Sequence, residues 1–186
     1  MWKTTLMMVI LLMFLGCNKS NDNDQTQVRL NHTTGLKWQV PDGWIEEPPT
    51  SPMRKAQFRL PRVEGDPEDA NLVVYYFQGQ GGSVQANIQR WYGQFKQPDG
   101  RPTHEVARVK TQTVNGLKQT IVDLSGTYLF KMTPMDPAST PKPNSRMLAA
   151  IIETHSGPWF VKLVGPEKTV TRWEESFHQF LRSIKE

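Results

Sequence analysis

The sequence predicts a single α+β domain, a largely antiparallel sheet of about six or seven strands packed with two amphipathic helices. Three observations carry that prediction. Short apolar segments alternate with polar residues, or run together, between Gly, Pro, Asn and Asp clusters, which is the pattern of strands and turns. Two other segments repeat their apolar residues at intervals of three and four, as a helix with one buried stripe does. The 186 residues, 37% hydrophobic and 22% charged with 13 Gly and 14 Pro, suffice for one core and lack the bias of a collagen-like or disordered chain. A single Cys excludes an internal disulfide and a zinc site built on several thiolates.

Leu36-Lys37-Trp38-Gln39-Val40 alternates as a short strand and is stopped by the turn signal Pro41-Asp42-Gly43, after which Trp44 re-enters the core. Lys55 to Leu60 alternates again, with Ala56, Phe58 and Leu60 on the face expected inward. After a polar loop from Pro61 to Ala70, Leu72 to Phe77 is a continuous β-branched and aromatic run, expected at the centre of the sheet. Gly79-Gln80-Gly81-Gly82 breaks that strand. Ser83 then suits the N-cap of a helix reaching about Phe95, with Val84, Ile88, Trp91, Tyr92 and Phe95 as its stripe.

Glu105 to Thr113 and Leu117 to Lys131 flank Asn115-Gly116, a hairpin signal because both residues tolerate positive φ, and Gly126 is expected to mark a bulge. Thr133 to Asn144 holds Pro134, Pro137, Pro141 and Pro143 and is expected to be an irregular surface loop. Arg146 to Thr154 and Trp159 to Val164 form a second hairpin around Ser156-Gly157-Pro158. A closing helix from Gly165-Pro166 carries Val170, Trp173, Phe177, Phe180, Leu181 and Ile184 on one face.

The N-terminus is of a different kind. Met1-Trp2-Lys3 carries one positive charge, Leu6 to Leu15 is an unbroken run of ten apolar residues, and a polar tract follows Cys17. That is a secretory signal layout, since a spanning helix needs about 20 apolar residues. Phe14-Leu15-Gly16-Cys17 resembles the lipobox of bacterial lipoproteins. The resemblance implies that residues 1–16 are a cleaved signal peptide and that Cys17 is acylated, with palmitate among its chains, and becomes the new N-terminus. Residues 17–27 are then the lipidated cysteine and a flexible polar tether, and residues 28–186 the domain. Asn18 after the cysteine, in place of the Asp of inner-membrane retention, implies an outer-membrane destination facing the periplasm.

The entry Trp38-x-Val40-Pro41-x-Gly43-Trp44, the meandering strands, the helix after the third of them and the aromatic closing helix together resemble the PsbP-like fold. The extrinsic photosystem II protein, a Ran-binding import factor and assorted bacterial lipoproteins share it. The resemblance covers Leu36 to Ile184 and implies a binding or assembly module without naming its ligand.

The search for chemistry finds no G-x-S-x-G elbow, H-E-x-x-H, Walker loop or H-x-E with paired cysteines. Gly81, Gly82 and Ser83, between strand and helix, can present backbone N–H groups to an anion, with Arg90 as a second contact. Trp159, beside a hairpin, is the tryptophan expected to be most open to surface use. Glu153 and His155 share a strand face, as metal ligands or an acid/base pair would, and His32, His104 and His178 have no informative spacing toward them. Asp123 and Ser125 also share a face, and His155 would complete a triad if the fold brought it close. The formal charge is +4, yet the longest basic run is Arg54-Lys55, so no nucleic-acid footprint exists.

The sequence therefore leads to the expectation of a membrane-anchored lipoprotein acting as a non-catalytic binding or assembly module in the cell envelope. Its expected partners are membrane lipid, through Cys17, and a protein or envelope component, with no cofactor, metal or nucleic acid. The alternative is a periplasmic small-molecule carrier with a pocket between sheet and helix. A hydrolase is the remaining reading.

Overall fold

A computed structural model describes residues 30–32, 35–133 and 136–186. The expected signal segment, Cys17 and the tether lie outside the described residues. The first strand, β1 (Leu30–His32), pairs with β2 (Lys37–Gln39) as a small two-stranded sheet. The main sheet has eight strands: β3 (Ile45–Glu47), β4 (Arg54–Leu60), β5 (Ala70–Tyr76), β6 (Phe95–Lys96), β7 (Arg108–Val114), β8 (Leu117–Phe130), β9 (Thr140–Glu153) and β10 (Trp159–Pro166). Its order is β3-β4-β5-β10-β9-β8-β6, with β7 also on β8, and every pairing is antiparallel. The helices are α1 (Val84–Tyr92), the single turn α2 (Thr103–Val106), α3 (Glu167–Arg172) and α4 (Glu174–Ser183).

Alternation along the strands separates two cores. On one face Ala56, Phe58 and Leu60, Leu72 and Val74, Leu148, Ala150 and Ile152, and Val161 and Leu163 pack against Val170, Phe177, Phe180 and Leu181 of the closing helices. On the other, Val122, Leu124, Met147, Ala149, Ile151 and Phe160 pack against Ile88 and Trp91 of α1 and against Phe95. The central strand β9 is buried on both faces from Ser145 to Ile152, which is why its apolar residues run together without alternating.

The expected α+β class and both hairpins are present, and the turn at Asn115 (φ 50°) and Gly116 (φ 80°) has the positive angles its residues allow. The register shifts between Gly126 and Tyr128, as a bulge requires. Ser83 caps α1, its Oγ accepting from Ala86 N at 3.2 Å.

Five details differ from the expectation. The expected strand over Glu105 begins as α2, and the sheet gains β3 and β6, which are too short to show a period. Helix α1 stops at Tyr92 because Gly93 follows, and Phe95 reaches the same core from β6. The closing helix is broken at Trp173, whose indole Nε1 donates to Pro61 O at 2.9 Å and whose ring covers Gly43. The proline-rich segment is the main correction, because Thr140 to Asn144, with Pro141 and Pro143, is the first third of β9 and not an irregular loop. Tyr128, Leu129 and Phe130 pair with Lys142, Pro141 and Thr140, whereas β10 joins β9 only from Ser145. The prolines therefore lie two apart on a stretch with one strand neighbour, where a missing N–H on the open side breaks no ladder bond.

Candidate functional site

The α1 face of the sheet is not apolar throughout. Lys162 of β10 stands on it, opposite Val73 of β5 and Ala149 of β9, in a strand whose other residues on that face are Phe160 and Val164. It is the floor of a cleft of about 730 Å³ between the C-terminal half of α1 and the outer parts of β4, β5, β8 and β9. That volume lies in the range of small-molecule sites.

The Lys162 ammonium has only neutral partners. Its Nζ donates to Gln94 Oε1 at 2.6 Å, approaches the Tyr128 hydroxyl at 3.4 Å, and lies 5.1 Å from the centre of the Tyr128 ring. Burial, and then the charge of Arg54, lower its pKa from 10.5 to about 8. Burial also pushes up the phenols of Tyr75 and Tyr128, which line the same cleft. Arg54 donates to Gln57 Oε1 at 2.6 Å and lies over the Tyr75 ring, 5.7 Å from its centre. Arg90, in the last turn of α1, makes no ion pair among the described residues.

The acids at the cleft rim are already engaged. Glu68 pairs with Lys142 at 2.6 Å, and Asp69 accepts from Arg59 at 2.9 Å and from the Arg62 N–H at 2.8 Å. Four cations, Lys162, Arg54, Arg90 and, at the rim, Lys131, thus face one cavity without an ion-pair partner among the described residues, beside the two paired acids. A second cavity of about 650 Å³ shares the Glu68–Lys142 pair as a wall.

No family model and no curated protein matches the chain. The crystal structure of PA94, a protein of unknown function from Pseudomonas aeruginosa, is similar with a TM-score of 0.48 and 12% identity, over 83% of this chain and 94% of that one. The solution structure of the cyanobacterial PsbP protein of Synechocystis sp. PCC 6803 is similar with a TM-score of 0.48 and 12% identity, over 84% and 91%. No residue role is carried over from either.

Of the residues singled out in the sequence, Arg90 lines the cleft and the glycine loop does not. Gly81 is buried under Phe160, where a Cβ would lie 2.6 Å from the ring, so packing accounts for it. Gly82 sits at φ 76°, and the Asn87 amide donates to the carbonyls of Gly81 and Ser83 at 2.8 Å each. With the Ser83 hydroxyl accepting from α1, these bonds occupy the loop's carbonyls and its capping hydroxyl. Trp159 is a correction, since it is 0% exposed, stacked on Tyr76 at 4.5 Å and edge-on to Trp38 at 6.4 Å. The segment that carries β2 covers that end of the hairpin, which the hairpin's own sequence cannot show.

The suspected triad does not assemble. Asp123 is held by Arg146 and Arg108, and Ser125 donates to Glu167 at 3.0 Å. His155 lies beyond Glu153, which pairs in register with Lys118, and Asp123 is five positions along β8 from Lys118, about 17 Å. Glu153 and His155 also part company, the first binding Lys118 at 2.9 Å and the second Glu186 at 3.0 Å. Among the described residues no three potential ligands converge as a metal site would require.

Lys162, Arg54, Tyr75 and Tyr128 were missed by sequence reasoning. A usable signal existed for Lys162, the one charge inside the apolar run Trp159 to Val164, because a lysine on an otherwise apolar strand is uncommon without a partner.

Proposed function

We propose that the chain is a lipid-anchored, non-catalytic recognition module of a bacterial envelope and that it binds its ligand in the cleft between α1 and the sheet. The observation that supports this reading is the cleft itself, a ligand-sized cavity floored by Lys162 and flanked by Arg54 and Arg90, with its rim acids already paired. It favours the small-molecule carrier over a module that works only through a flat protein surface. The anchor is supported by the lipobox-like Phe14-Leu15-Gly16-Cys17, and the outer membrane by Asn18. Two or more acyl chains on Cys17 would hold the domain at the bilayer, where one would not.

The test is photo-crosslinking of the full-length protein in cells, from a photoreactive residue at Met132, an exposed residue of the cleft rim, and from a control at Val109 on β7. Adducts formed from position 132 and not from 109, with acylated Cys17 in the mature N-terminal peptide, support the reading. Equal adducts from both positions would remove the cleft, and an unmodified Cys17 would remove the anchor.

A further inference from the structure

The cleft carries more positive charge than its own acids balance, because Glu68 and Asp69 at its rim are already paired with Lys142 and Arg59. From β10, β4 and α1 it receives Lys162, Arg54 and Arg90, and from β5 and β8 the phenols Tyr75 and Tyr128, which are neutral at physiological pH. Lys162 meets only an amide oxygen and a hydroxyl, so its charge is desolvated without a counter-charge, and its pKa is accordingly drawn down to about 8. A purely structural residue opposite Val73 and Ala149 would be apolar. The floor of the cleft is instead cationic, and its walls carry Tyr75, Tyr128 and Phe130.

The geometry points to an oxyanion site, in which Lys162, Arg54 and Arg90 receive the phosphate or carboxylate group of a small organic ligand whose carbon skeleton lies against Tyr75, Tyr128 and Phe130. This rests on the cleft being the recognition site and adds the chemistry of what it recognises. The anion supplies the charge that Lys162 lacks, beside a half-buried ammonium where the attraction exceeds that in open water. A soluble phosphate ester and an anionic lipid headgroup share that chemistry.

The experiment uses the full-length protein in neutral maltoside micelles, with phenyl phosphate, benzoate and the uncharged benzyl alcohol as probes of the melting temperature. Phenyl phosphate or benzoate at a hundred times its Kd is expected to raise Tm by about 5 to 10 °C, and benzyl alcohol to leave it unchanged. Lys162→Met should fold, since it replaces a half-buried charge by an apolar chain of similar length, and should lose the shift. Arg90→Ala, on an exposed helix position, should weaken binding about tenfold, as loss of a charge-assisted contact does. Flotation with phosphatidylglycerol vesicles against phosphatidylcholine vesicles distinguishes the source. Preference for the anionic vesicles that Lys162→Met abolishes assigns a headgroup, and a shift with the soluble probes alone assigns a free ligand.

Equal shifts from benzyl alcohol and the anions would overturn the oxyanion site and leave the cleft standing as a recognition site. A shift retained in Lys162→Met would overturn it as well. So would the absence of any shift or vesicle binding, and in that case crosslinks from position 132 decide separately whether the cleft is used at all.

Discussion

Replacing Lys162 by Met should make the unliganded protein more stable at neutral pH, and the gain should disappear in alkali. The Lys162 pKa falls from 10.5 in the unfolded chain to about 8 in the fold. Each unit corresponds to about 1.4 kcal/mol, so the charged side chain costs the fold about 3 kcal/mol below pH 8. Removing it also strips Gln94 Oε1 and the Tyr128 hydroxyl of their donor, a loss of about 1 kcal/mol. The net gain at pH 7 is about 2 kcal/mol, or about 4 to 8 °C in Tm. Between pH 8 and 10.5 the unfolded wild type binds the proton that the folded form has released, so wild-type stability rises with pH across that window. The variant has no such group, and the gap between the two should close. Urea denaturation of both proteins at pH 7, 8, 9 and 10, without anions in the buffer, measures it. A variant less stable than wild type at pH 7, or a gap that stays constant to pH 10, would refute the assignment of a desolvated, unpaired charge.

Four further outcomes follow from the same packing and bonding. Asp123→Asn should lose about 2 to 4 kcal/mol by urea denaturation, because it takes a carboxylate from Arg146, whose side chain is 7% exposed. Burial by itself would raise the Asp123 carboxyl, but the hydrogen bonds from Arg146 and Arg108 outweigh it and hold it below the usual range. Its contribution is therefore present above about pH 4 and lost as pH falls through the folded value, and an acid titration followed by circular dichroism should show a steeper loss in wild type than in Asp123→Asn. Gly81→Ala drives a Cβ to 2.6 Å from the buried Phe160 ring and should cost about 1 to 3 kcal/mol while leaving anion affinity unaltered, as calorimetry on the folded fraction would show. Ser83→Ala removes only the cap of α1 and should lower stability by about 1 kcal/mol. Asn115→Ala loses the amide that donates to Arg182 O at 3.1 Å and Ile184 O at 2.8 Å; hydrogen exchange should report earlier fraying of α4.

What could be read in the sequence is what depends on neighbours along the chain. The alternation of Lys55 to Leu60, the Asn115-Gly116 turn and the Ser83 cap each rest on a few adjacent residues, and each stands in the structure. What could not be read depends on the strand next door. Pro141 and Pro143 indicate a loop until β8 is seen on one side of them and no strand on the other. Trp159 indicates an exposed hairpin residue until Trp38 arrives from more than a hundred residues away. The same limit separated Asp123 and Ser125 from His155, because residues on one sheet face can still lie several strand residues apart.

Burial of a charge does not by itself mark a site, and two strands of this sheet make the contrast. Arg146 of β9 is buried, yet Asp123 accepts from it at 2.9 and 3.0 Å, Glu174 at 2.8 Å and Thr171 at 2.9 Å. Its carboxylates belong to β8 and α4, so it ties the closing helix to the sheet, and its charge is answered within the fold. Lys162 of β10, one strand away, has the desolvation without the carboxylates. A methionine there would supply the packing without the charge, at the loss of the bonds to Gln94 and Tyr128, and with the proposed oxyanion site the cost of the charge is recovered in a state the free protein does not occupy. That state is the cleft filled by an anion, and the comparison of Lys162 with Arg146 is what separates a residue kept for holding the fold from one kept for binding.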